Sequence, residues 1–174
     1  MRLRQLTPVA VLAALLSVGA PAESHVEDQG YSMPAEVTVC LGRVELSQRF
    51  TVDMTLNPFY LRGDFDNDGK PDYLVRVVSS QHSKRGLIAC WGKRGATPTV
   101  IGAGRSIPSS INAQFDDLPM IGWYVYGRRP VEQGVGEDDP PRLRGEAVVV
   151  HVRESASGIL YWTGKAFRWY QQGD

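Results

Sequence analysis

The chain has 174 residues, with 19 Lys and Arg against 19 Asp and Glu, so its formal charge is zero. A near-neutral chain with no clustered basic face argues against nucleic acid and anionic lipid as partners. No C-x-x-C, His-Glu-x-x-His, Gly-x-Ser-x-Gly or phosphate-cradling motif occurs, which removes the commonest redox, zinc, serine-hydrolase and nucleotide-binding readings.

Residues 1–22 read as a bacterial-type secretory signal. Arg2 and Arg4 form the charged start, 9–18 the apolar run, and Ala20-Pro21-Ala22 a cleavage site before Glu23. That run is too short to span a bilayer, and no later segment is long and apolar enough to do so. The expected product is exported to the periplasm or the exterior. It has lost two bases and no acids, so 17 bases remain against 19 acids. Residues 23–33 are polar and read as a loose leader, leaving one domain over 34–174. In 34–47, Val37, Cys40, Leu41 and Val44 keep helical spacing behind Pro34, a residue favoured in a first turn, although Val39 and Gly42 also allow a strand. Cys40 and Cys90 are an even pair in an oxidising compartment, which favours a disulfide over two buried thiols.

The most specific signal follows. Asp64-Phe65-Asp66-Asn67-Asp68-Gly69-Lys70-Pro71-Asp72 places carboxylates at alternating positions around a glycine. Calcium is a hard cation that takes six to eight oxygens, and such a loop turns several of them toward one centre. The first six positions match an EF-hand loop, but Val75 stands where its closing Glu belongs. The exit, 73–78, is β-branched and apolar, and the entrance, 57–63, is extended and broken by Pro58. A strand–loop–strand site is therefore expected in place of a helical hand. Asn-Asp-Gly and Lys-Pro-Asp are also good turn chemistry, so a solvated acidic turn is the alternative. Arg62-Gly63-Asp64 spells a tripeptide known from adhesion ligands, but its Asp is more economically used on a metal.

From Gly63 to Tyr73 the chain resembles the FG-GAP/VCBS type of repeat, the calcium-binding loop of integrin α-subunit propellers and of many bacterial exported proteins. The resemblance implies that Asp64, Asp66, Asp68 and Asp72 supply carboxylate oxygens to Ca²⁺ and that Lys70 supplies its carbonyl. It covers about a tenth of the chain and occurs once, too little for a closed propeller, which needs several four-stranded blades. The ending, 155–174, is similar to that of small bacterial exported proteins, which brings no activity with it.

After the loop the pattern is short and β-like. Strands are predicted over 73–79, 86–91, 98–102, 121–126, 146–153, 158–162 and 166–170, with hairpin turns at 92–95 and 163–165. The expected class is mainly β (α+β), an antiparallel sheet with one short N-terminal helix in a single domain. The long segment 127–145 has no periodicity, which marks it as functional or mobile, and its Glu137-Asp138-Asp139 lacks cage spacing. His25 falls in the leader, His82 in a polar turn, and His151 alternates with valines in a strand. A hydrolase built on His151 with Ser155 or Ser157 and Glu154 is the catalytic alternative, though no spacing demands it. Tyr161, Trp162, Phe167, Trp169 and Tyr170 flank one turn, and Trp123, Tyr124 and Tyr126 stud another strand. Alternation sends some to the core and leaves the others for a protein or glycan partner. Two classes thus stand: a non-catalytic, calcium-binding interaction module, and a small exported hydrolase.

Overall fold

The apolar spacing of 34–47 is realised as two short helices. Pro34 caps α1 (Ala35–Leu41), Arg43 is extended, and α2 (Val44–Ser47) follows. Gly42 is a poor helix former, and the extended Arg43 breaks the chain there. Val37, Cys40 and Leu46 point inward from the two segments. The structure, a computed structural model, describes residues 32–109, 115–134, 139–152 and 156–173. The signal segment 1–22 and nearly all of the leader 23–33 lie outside them, and Met33–Asp174 forms one unit.

Nine strands make two antiparallel sheets among the described residues. In the first, β3 (Asp72–Ser79) pairs with β4 (Arg85–Cys90), and β4 with β5 (Thr99–Gly102). Two short strands share the other edge of β3, end to end. β1 (Phe50–Val52) lies against 77–79, and β2 (Tyr60–Gly63) against 72–75. The second sheet is a meander of β6 (Met120–Val125), β7 (Val148–Val152), β8 (Ala156–Trp162) and β9 (Phe167–Gly173). The expected mainly β architecture therefore holds, with no closed barrel among the described residues. The predicted single sheet is a face-to-face pair.

The side-chain period of two explains how four layers form. Leu74 of β3 and Leu87 and Ala89 of β4 face Trp123, Val148, Val150, Leu160 and Trp169 of the second sheet. The intervening residues Tyr73, Val75, Val77 and Ile88 face Val37, Cys40 and Leu46 of the helices. A strand buried on both faces reads as a continuous apolar run, as 73–78 does. On the far side of the second sheet, Val149, Ile159 and Tyr170 are covered by Val131 and Leu143, from the long 127–145 segment. Cys40 is bonded to Cys90 at the end of β4, with a Cα–Cα distance of 5.9 Å, and ties the helices to the first sheet. Most of the aromatics are core: Trp123, Phe167, Trp169 and Tyr170 are buried, whereas Tyr124 is 48% exposed.

Candidate metal centre

Gly63 at the end of β2 pairs directly with Asp72 at the start of β3, so 64–71 closes a hairpin between them. Two backbone positions make the reversal. Asn67 has φ 65° and Gly69 has φ 81°, the left-handed region that glycine and asparagine enter most readily. Phe65 anchors the loop by burying its ring completely in the inter-sheet core.

The carboxylates turn back on their own loop. Asp64 Oδ1 accepts the Asp68 amide at 3.0 Å and Asp64 Oδ2 the Gly69 amide at 3.2 Å. Asp66 Oδ1 also accepts the Asp68 amide at 3.1 Å, and Asp68 Oδ1 the Lys70 amide at 2.8 Å. These are the Asx-type contacts that let an acidic side chain stand in for a turn of backbone. Asp72 is different: it is fully buried, and its two oxygens accept the Phe65 amide at 3.0 Å and the Gly92 amide at 2.8 Å. Burial pushes its carboxyl up to about 6, outweighing the Gly92, Phe65 and Asp66 amides that favour the charged form, and the negative charge of Asp66 adds to the rise.

One oxygen from each of Asp64, Asp66 and Asp72 lies within 4.8 Å of the other two. Two oxygens on the same calcium, each about 2.3–2.6 Å away, are at most about 5 Å apart, so the trio fits one ion. Asp68 stands beside this group, engaged with Lys70, and Lys70 is exposed. Of the five ligands the sequence proposes, the structure brings three carboxylates together, and Asp68 and Lys70 are the exposed members.

Two further residues belong to the centre and were not legible in the loop. Glu146 Oε2 accepts the Asp64 amide at 2.7 Å, and Arg128 Nη2 donates to Asp64 Oδ2. Glu146 reaches it because the chain at Gly145 packs against the loop backbone, where a Cβ would lie 2.5 Å from the Asp64 carbonyl. Their separations from Asp64, 82 and 64 residues, leave no local signal. The Arg128 guanidinium is thus a cation resting on a proposed calcium ligand.

The wall behind Asp72 is equally tight. A Cβ on Gly92 would stand 2.4 Å from the Pro71 carbonyl oxygen. Gly92→Ala is expected to cost about 1–3 kcal/mol by overpacking, and to pull the Gly92 amide off Asp72. Urea unfolding checks it: a loss under 0.5 kcal/mol would mean that the 71–72 backbone yields freely.

The catalytic alternative gains little. His151 is exposed, pairs across the sheet with Ser157, and lies 6.0 Å from the Tyr124 ring, centroid to centroid. Glu132 lines the same cavity, but no hydrogen bond joins the three among the described residues. Glu154 and Ser155 lie outside the described residues. His82 sits in the β3–β4 turn against Gly104, far in sequence from any acid of the proposed set. No protein-family model, curated protein or solved structure matches the chain.

Proposed function

We propose that this chain is an exported, non-catalytic calcium-binding domain whose ion fixes the hairpin between β2 and β3. The observation that carries the reading is the convergence of Asp64, Asp66 and Asp72 oxygens within 4.8 Å of one another. Asp68 and the Lys70 carbonyl complete the set that the FG-GAP/VCBS likeness implies. The ion would offset the mutual repulsion of four carboxylates crowded into nine residues. The disulfide fits an oxidising compartment. The surfaces away from the loop would then serve as an interaction module for a protein or glycan.

Thermal unfolding of the oxidised chain with calcium and with chelator tests this. At a calcium concentration a hundredfold above Kd, binding to the folded form alone stabilises by about 2.7 kcal/mol, or about 5–10 °C for a domain of this size. Asp66→Ala and Asp68→Ala should each abolish most of the calcium-dependent part while leaving the chelated protein folded. No response to calcium in the unaltered chain would reduce the loop to an acidic turn.

A further inference from the structure

The 127–145 segment carries arginines near both of its ends. Arg128 and Arg129 from one end and Arg142 and Arg144 from the other line a single cavity of about 420 Å³. All four are exposed. Only Arg128 has a carboxylate partner among the described residues, Asp64. Pro130, Pro140 and Pro141 line the same cavity, and fixed φ angles hold its arginine-bearing ends without a helix or strand. Arg144 Nη1 donates to the Thr163 carbonyl at 3.2 Å, and the planar guanidinium forks match the geometry of sulfate, phosphate and carboxylate.

Arg129 and Pro130 also form part of a second cavity, about 530 Å³, on the outer face of the β6–β9 sheet. Here the lining is aromatic and polar. Tyr124 lies against His151, the Arg129 guanidinium sits 4.2 Å from the Tyr126 ring centroid, and Gln172 donates to the Glu132 carbonyl at 3.0 Å. Flat faces bordered by hydrogen-bonding groups suit a sugar ring, which has an apolar face and a hydroxyl rim. The shared wall makes the two cavities one continuous surface.

We propose that this surface binds an anionic glycan, with the acidic groups on Arg129, Arg142 and Arg144 and a sugar ring on the exposed face of Tyr124. A single-stranded nucleic acid could also stack and pair with arginine, but the domain as a whole lacks the basic excess that nucleic-acid binders carry. Arg128 links this surface to the loop. An ion that takes Asp64 frees the guanidinium, which then joins the other three. That dependence rests on the calcium reading above.

Calorimetric titration of the oxidised chain with sucrose octasulfate, and with dextran sulfate against plain dextran, tests the proposal at fixed salt. The sulfated probes should bind and plain dextran should not. The pair Arg142→Gln with Arg144→Gln should lower the affinity about tenfold or more, since each removes charge-assisted hydrogen bonds. The pair Lys93→Gln with Arg94→Gln makes the same change of net charge on the β4–β5 turn and should lower it less than twofold. Tyr124→Ala should weaken dextran sulfate several-fold and leave inorganic sulfate unchanged. Equal losses from the two charge pairs, no binding, or equal affinity for single-stranded DNA of matched charge would each overturn the site. If calcium raises the melting temperature but not the affinity, the link through Arg128 fails and the calcium reading stands. If calcium changes neither, the calcium reading fails, and the charge pairs still decide the arginine surface.

Discussion

Replacing Asp53 with Asn is expected to lower stability by about 3–5 kcal/mol, the range for stranding one member of a buried ion pair. Asp53 and Arg76 are 5% and 2% exposed, and Arg76 Nη2 meets Asp53 Oδ2 at 2.7 Å. The pair is also fully engaged with its surroundings. Asp53 Oδ1 accepts the Thr55 hydroxyl at 2.6 Å and the Thr55 amide at 3.0 Å, while Arg76 Nη1 donates to the Leu56 carbonyl at 3.3 Å. An Asn at 53 leaves the guanidinium charged in the inter-sheet space with nothing to balance it. The urea midpoint should fall without a change in m, and adding Arg76→Met should restore much of the loss. A loss under 1 kcal/mol would mean that water reaches Arg76.

The same pair sets an acid limit. Burial alone would raise the Asp53 carboxyl, but the Thr55 hydrogen bonds and the Arg76 charge outweigh it and leave it below the ordinary 3.8. A depressed folded value means that this contribution is fully present above about pH 4 and is lost as pH falls through the folded value. The stability gap between the unaltered chain and Asp53→Asn should therefore be flat from pH 7 to about 4.5 and shrink in stronger acid. A gap that widened in acid would contradict the assignment.

Opening the Cys40–Cys90 bridge, by reduction or by a Cys40→Ser and Cys90→Ser pair, is expected to cost about 4 kcal/mol. The bond closes a loop with a sequence separation of 50, and that is the entropy such a closure removes from the unfolded chain. The loop contains β1, β2, β3 and the whole 64–71 hairpin, so its unfolded ensemble is the one most restricted. Cys90 also lies two residues before Gly92, whose amide holds Asp72. The reduced protein should therefore unfold at lower urea and bind calcium less well. A loss near zero would show that Val37 and Leu46, packed on the sheet, suffice to hold the helices.

What the sequence revealed and what it concealed divides by sequence distance. Asp64, Asp66 and Asp72 could be read because their chemistry is written within nine residues. The strands from β3 onward announced themselves as β-branched runs between turn residues. β1 did not: Phe50-Thr51-Val52 is three residues long and owes its existence to β3, about 25 residues later. The ion pair was hidden for the same reason, since Arg76 sits inside an apolar run and its partner is 23 residues away. The helix of 34–47 was visible in its apolar spacing, while its division at Gly42 and Arg43 is a backbone property that spacing does not carry. The four arginines of the 127–145 segment carry no local signal, because they stand in two groups over ten residues apart. The packing of Val131 and Leu143 against Val149 and Ile159 brings them around one cavity.

The end-to-end placement of β1 and β2 has a consequence for how copies of the chain meet. A sheet edge with free amides and carbonyls is a template on which another chain can add a strand. Here the β3 side offers segments of only three and four residues, interrupted by the buried acid at 53 and by Pro58, which has no amide to donate. The opposite edge, β5, is four residues long. In the second sheet β6 carries a register shift between Met120 and Gly122, and β9 is met by the backbone at Ser109, with the Trp169 amide on the Pro108 carbonyl at 2.8 Å. Among the described residues no edge presents a long, flat row of unsatisfied backbone, so a fold made almost wholly of strands is protected there against growing by addition of its own kind.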